Sequence, residues 1–314
     1  MKLATIKNRS ITAIKAAIRP GLKTAWWMSK ITVAVSLIMN ILQYLGAIDV
    51  IAQWLNPVFH LFGLPGEAAL VFISGYFVNI YSAVAAAVTL NIDVRSITIL
   101  AVMCLCAHNM IVETAIQKKT GSSALRMVLV RTISAIVSAF ILNWLLPIHS
   151  STISTSVQSI ATKPLFSEFA WQWIIVTLKL LLKMFVLIMT LNILQKLLVE
   201  FGVIHWLSKM LRPILIVFGL PESTSFLWIV ANILGLAYGS AVMLEEVNEG
   251  RISKEDADLL NHHIGIAHSN LEDVTLFFSI GASLWWMLFL RWGLAAVIVW
   301  VRKWILQVKK IEYQ

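Results

Sequence analysis

The sequence predicts an all-α integral membrane protein made of two inverted-topology repeats with broken or re-entrant helices. Three observations lead there. The chain of 314 residues is 59% hydrophobic and 13% charged, against roughly 25% charged residues in soluble domains. Several apolar windows, 31–48 and 285–300 among them, approach the roughly 20 residues that cross a bilayer. Landmarks also recur in order along the chain, the signature of an internal repeat. Asn40-Ile41-Leu42-Gln43 returns 152 residues later as Asn192-Ile193-Leu194-Gln195, and P-x4-FGLP at Pro57–Pro65 returns after 156 at Pro213–Pro221. Ser82-Ala83-Val84 matches Ser240-Ala241-Val242 at 158. Ala107-His108, Glu113 and Gly121 match Ala267-His268, Asp273 and Gly281 at 160.

The elements follow from charge and hydropathy. Residues 1–30 hold seven basic residues and no acid, which places them in the cytoplasm or at its membrane surface. No apolar core ending in a cleavage site marks them as a signal peptide. The first repeat, 31–146, contains the apolar segments 31–48, 66–90, 96–114 and 127–146. The linker 147–169 is rich in Ser and Thr and reads as extracytoplasmic, so the first repeat must cross an odd number of times. With Arg95, Lys118, Lys119 and Arg126 assigned to the cytoplasm, segment 96–114 is expected to enter from that side and return. The second repeat, 170–301, runs the opposite way. Its residues 170–183 read as an interfacial amphipathic helix, because Lys30 displaced by 152 falls at the mouth of the following span. Its acidic loop 245–258 is placed outside, and the basic tail 302–314 inside.

The net charge of +9 gathers at segment ends, where it orients helices, so no nucleic-acid partner is expected. Cys104 and Cys106 cannot make a disulfide framework. No Walker loop, dinucleotide fingerprint or four-ligand zinc pattern is present, and no nucleophile–base pair stands out, so an enzyme is not expected.

Three groups of residues carry candidate chemistry. Each FGLP turn is followed by an acid, Glu67 or Glu222. Either carboxylate serves as a helix N-terminal acid, or the turn opens a discontinuous helix whose amides face a substrate. Asn79, Tyr81 and Ser82, with Asn232, Tyr238 and Ser240, follow these turns; helix–helix glue is the competing reading. The richest group is the two AH segments, with His108, Asn109 and Glu113 in the first and His268, Asn270, Glu272 and Asp273 in the second. In each, the matched acid lies five residues past its histidine. A regular helix would separate them by about 140°, so both segments are expected to be broken, which would let the pairs line one central cavity. A metal site built from His262, His263, His268 and Glu272 is the alternative. Against it, His262 and His263 have no counterpart in the first repeat.

The FGLP turns, the duplicated halves and the AH-acid segments together resemble the nucleoside recognition or Gate domain. That domain occurs in concentrative nucleoside transporters, in the membrane part of ferrous iron transport protein B, and in spore maturation proteins A and B. The resemblance implies a multi-pass protein of the bacterial inner membrane with paired Gate units, and the basic residues at both ends of the chain place both termini in the cytoplasm. Inverted repeats imply transport. The expected function is a permease for a small polar solute, nucleoside-like in the family's terms, bound by Glu67, Asn79, His108, Asn109, Glu113, Glu222, Asn232, His268, Asn270 and Asp273. No cofactor is expected. Coupling to protons or Na⁺ stays open, as does a homo-oligomer. The rival expectation is a non-transporting membrane protein that assembles with a partner, as the spore maturation resemblance allows.

Overall fold

The structure is a computed structural model that describes residues 2–90, 92–147 and 165–312. All described elements are helical, and no strand occurs among the described residues. In the first half they are α1 (Lys2–Tyr44), α2 (Ala47–His60), α3 (Ala68–Phe77), α4 (Ile80–Thr89), α5 (Val94–Ala107), α6 (Met110–Lys119) and α7 (Ala124–Leu145). In the second they are α8 (Phe166–Glu200), α9 (Val203–Met210), α10 (Arg212–Val217), a 3-10 turn (Glu222–Thr224), α11 (Ser225–Leu234), α12 (Leu236–Asn248), α13 (Lys254–Ile264), α14 (Asp273–Ser279) and α15 (Leu284–Glu312). Five stretches are long and apolar enough to cross a membrane: Ile6–Tyr44, Val94–Lys119, Ala124–Leu145, Phe166–Glu200 and Leu284–Val308. Most of the linker 147–169, namely residues 148–164, lies outside the described residues.

Helices α1 and α8 pair in opposite directions. Arg9 Nε donates to Glu200 Oε1 at 2.8 Å at one end, and Tyr44 packs on Phe166 and Phe169 at the other. The buried face of α8 is Thr177, Leu180, Met184, Ile188 and Leu191, spaced three or four apart as a helix seam requires. Opposite it, α1 buries Ala13, Ala17, Ala25, Thr32 and Ser36, small side chains that let two membrane helices approach closely. At Gly21 an added Cβ would lie 2.8 Å from Met189 Sδ. This seam corrects the expectation of a separate interfacial helix over 170–183. Those residues continue without a break into α8, because the seam runs past Lys179 and Lys183.

Two ends of the bundle can be followed through side-chain contacts. At one end Arg95 donates to Gly63 O at 3.0 Å and to Asn143 O at 3.1 Å. The chain before α3 and the chain after α4 therefore meet there. Helices α3 and α4, ten residues each, form a hairpin that enters and leaves at that end. The stretch α5–α6 runs from Arg95 to the opposite end, and α7 returns to Asn143. This corrects the expected path: segment 66–90 is the hairpin that enters and leaves at one end, and 94–119, long and apolar enough to cross a membrane, runs from end to end. The physical reason lies in Arg95, whose guanidinium caps chain-end carbonyls and does not mark the side of Lys118 and Lys119.

At the second end Asp258, in the first turns of α13, accepts from Ser122 Oγ at 2.6 Å, Arg302 Nε at 2.8 Å and Arg126 Nη1 at 3.1 Å. Asn261 Nδ2 donates to Thr120 Oγ1 and Ser122 Oγ. The acidic loop 245–258 thus closes beside the α6–α7 turn and the far end of α15, and its expected place on the side opposite Lys118 is wrong. Acidic residues carry little orienting information, whereas Asp258 has three partners that fix the end. The second hairpin, α11–α12, opens at this end too, since Trp300, close to Arg302 on α15, donates to Val217 O just before it. From there α13 and α14 lead back to the Arg95 end, where Ser283 N donates to Thr98 Oγ1 at 3.1 Å.

Cysteines placed at Asn248 and Lys118 should therefore react with an impermeant maleimide from the same side of the membrane. One placed at Val94, 64% exposed, should react from the other side. Labelling of positions 248 and 94 together would contradict this path.

Candidate functional site

The two end-to-end stretches α5–α6 and α13–α14 both break at the middle. Asn109 and Ser269 are the non-glycine residues with positive φ among the described residues, at 47° and 49°, and they stand 160 apart. The left-handed conformation ends one helix and redirects the chain. Each break is held by the neighbouring hairpin: Asn109 N donates to Gly75 O at 2.9 Å, and Ser269 N donates to Ala231 O at 3.1 Å. Gly75 and Ala231 are themselves 156 apart, the offset of the FGLP turns.

Breaking α5–α6 at Asn109 lets the side chain of His108 and that of Glu113, one turn into α6, face the same space. His108 Nε2 lies 3.1 Å from Glu113 Oε1 and 3.3 Å from Asp273 Oδ2. His268 Nε2 lies 3.4 Å from Glu113 Oε1, and the two imidazoles are 5.1 Å apart between centroids. The four side chains are at most 9% exposed. They form one cluster shared between the halves. Each Nδ1 faces the carbonyl four residues back, His108 with Cys104 O at 3.0 Å and His268 with Ile264 O at 2.6 Å.

Two arginines complete the centre, and the sequence reading missed both. Arg131 on α7 is fully buried. It contacts Glu113 Oε2 at 2.6 Å and donates to Cys106 O at 3.1 Å and His108 O at 2.7 Å. Arg291 on α15, also fully buried, donates to Ile266 O at 2.9 Å, His268 O at 3.0 Å and Asn270 Oδ1 at 3.1 Å. These residues are again 160 apart, as are the carbonyls they bind. Each satisfies the backbone acceptors that its helix break leaves open, which hydrocarbon would not tolerate unpaired. The available signal was a lone charge in the middle of an apolar segment, repeated at the established offset.

Among the other expected residues, Asn270 Nδ2 donates to Asn232 Oδ1 at 2.5 Å, which joins the second hairpin to Arg291. Glu272 accepts from Tyr81 Oη at 2.6 Å, a bridge between halves. Asn79 caps α4, its Oδ1 accepting from Ser82 N and Oγ, at the turn of the first hairpin. The side chains of Tyr238 and Ser240 lie outside the described residues. Glu67 and Glu222 are not brought to the cluster. Glu67 precedes α3 without a capping bond, and Glu222 is exposed in the 3-10 turn. Eight residues of helix separate Glu67 from Gly75, about 12 Å at 1.5 Å per residue. The FGLP turns stand at the open ends of the hairpins, and it is the opposite, closed ends that approach the centre.

The expected alternative metal set is dispersed. His262 Nδ1 bonds Asp258 O, and His263 Nδ1 accepts from Trp228 Nε1 at 3.1 Å among Phe218 and Trp228. Only His268 of that set reaches the centre, because His262 and His263 lie on α13 ahead of the break.

Residues 25–148 match the Gate family, described as nucleoside recognition. An uncharacterized membrane protein of Bacillus subtilis (strain 168), YvoD, is 28% identical over 283 residues, covering 88% of this chain and 89% of the relative. No solved structure matches.

Proposed function

We propose, for a chain whose residues 25–148 match the Gate, or nucleoside recognition, family, a membrane permease that moves a small polar solute through the centre between its two halves. The observation that carries this reading is the convergence of two helix breaks and two histidine–carboxylate pairs on one buried point. Groups of this kind are costly at membrane depth and mark solute or proton paths, and discontinuous helices at a repeat boundary are where transporters bind. The halves are taken to be related by a twofold axis in the membrane plane. Hairpins entering from opposite ends and matched left-handed breaks support that relation. The binding groups are then His108, Glu113, His268 and Asp273, with Asn109, Asn232 and Asn270 beside them. Glu113 and Asp273 are the acids placed to couple movement to protons or Na⁺.

A second reading, a non-transporting protein that assembles with a partner, is favoured by the closure of the centre, where no member of the cluster exceeds 9% exposure.

The test is a thermal-shift screen of the purified protein with nucleosides, sugars and carboxylates. A solute present at 100 times its dissociation constant adds about 2.7 kcal/mol to stability. His268→Ala and Asp273→Ala should abolish that shift, and uptake into vesicles, while the variants stay monodisperse. Variants that are unstable yet keep the wild-type shift would make the pairs structural. A screen without any shift, with a protein co-purifying in fixed ratio, would decide for assembly.

A further inference from the structure

We infer that His108, His268 and Asp273, with Glu113 on the remaining side, form a binding site for one divalent transition-metal ion. This does not depend on transport, since a resident ion and a transported solute are measured separately. The donor atoms of His108, His268 and Asp273 lie within 4.8 Å of one another, on segments that come from both halves of the chain. In a tetrahedral shell with bonds near 2.1 Å, neighbouring donor atoms are about 3.4 Å apart. Within the set His108 Nε2 and Asp273 Oδ2 are 3.3 Å apart, and Glu113 Oε1 stands beside it, 3.1 Å from His108 Nε2 and 3.4 Å from His268 Nε2.

The tautomers give the stronger argument. A carbonyl oxygen only accepts, so the bonds to Cys104 O and Ile264 O require the proton on Nδ1 of both rings. Each neutral imidazole then turns the bare lone pair of Nε2 towards carboxylate oxygens. Lone pairs facing lone pairs at these distances repel unless a cation sits between them. An Nδ1–H held by a backbone carbonyl is also how metal-binding histidines are oriented. Glu113 is ion-paired with Arg131, whereas the ion pair of Asp273 among the described residues is with His108. The positive charge facing its carboxylate at 3.3 Å is the one carried at His108 Nε2, by a metal ion or by a proton that the ion displaces.

The donor set narrows the ion. Two imidazoles with carboxylates suit Zn²⁺, Fe²⁺ or Mn²⁺, and not a thiolate-seeking ion or an all-oxygen site. Cys104 and Cys106 are buried on α5 and do not belong to the donor group.

The experiment uses the full chain in detergent, stripped with a chelator and titrated with Co²⁺ as the spectroscopic probe. One Co²⁺ per chain is expected, with the intense visible absorption of a four-coordinate site, displaced by Zn²⁺. His108→Ala and His268→Ala should each weaken binding at least about 100-fold, the upper end of what losing even an outer-shell partner does. His263→Ala, which alters a buried histidine away from the cluster, should leave the affinity unchanged. Asp273→Asn keeps the shape of the centre and serves if the alanine variants do not fold; it should weaken binding at least about tenfold. Wild-type protein that binds no Co²⁺, or binding that Asp273→Asn leaves unchanged, would overturn the site and leave protons as the cation at Nε2.

Discussion

Arg131→Met will lower the stability of the folded chain by about 3–5 kcal/mol, the usual cost of breaking a buried ion pair from one side. The guanidinium is fully buried and holds Glu113 Oε2 at 2.6 Å together with the carbonyls of Cys106 and His108. Methionine fills similar space but donates nothing. A buried carboxylate and two backbone acceptors at a helix break are then left with no donor. At 2–4 °C per kcal/mol for a large domain, the unfolding midpoint should fall on the order of 10 °C. Tryptophan fluorescence will report this, since the chain has 13 tryptophans. Arg291→Met should cost less, because the acceptors of Arg291 are carbonyls and an amide. An unchanged midpoint for Arg131→Met would show that the arginine does not hold the break.

Asp258→Ala is the second large effect, at about 2–3 kcal/mol, in the range of hydrogen bonds to charged groups. Its carboxylate ties together Ser122, Arg126 and Arg302, which come from the first half, the start of α7 and the end of α15. The loss should be smaller than at Arg131. The side chain of Arg126 is 36% exposed and that of Arg302 14%, so the stranded cations reach water. The variant should also open the α6–α7 turn to hydrogen exchange, because Asn261 alone would then hold Thr120 and Ser122 to α13. Unaltered exchange at residues 118–123 would place the contact between the halves elsewhere.

Much of the centre was legible in the sequence. The offset of 160 paired His108 with His268 and Glu113 with Asp273. The five-residue spacing demanded a break, and the left-handed Asn109 and Ser269 provide it. What failed were arguments resting on single charges. Arg95 was assigned to a side by its sign, yet it caps carbonyls of Gly63 and Asn143. The loop ending at Asp258 was assigned from its acidity, but its partners lie 132 and 44 residues away and no local pattern announces them. Glu67 and Glu222 looked functional because an acid followed a helix-breaking proline. The spacing could not tell the open end of a hairpin from its closed end. Arg131 and Arg291 were passed over because each is a lone charge inside a segment read only for its apolar length.

The clasping of the two breaks has an electrical consequence. An interrupted helix presents about half a negative charge at the carboxyl end of its first piece and half a positive charge at the start of the next. The carboxyl ends of α5 and α13 are met by Arg131 and Arg291, while Glu113 lies in the first turn of α6 and Asp273 in that of α14. Each pole is answered within a few ångströms by a fixed opposite charge. A centre compensated in this way generates little long-range field. Buried as it is, it also lies out of reach of the electrolyte, which screens exposed charges over about 8 Å at physiological ionic strength. Affinity for whatever occupies the centre should therefore be nearly flat with added salt, while the rim around Asp258 loosens.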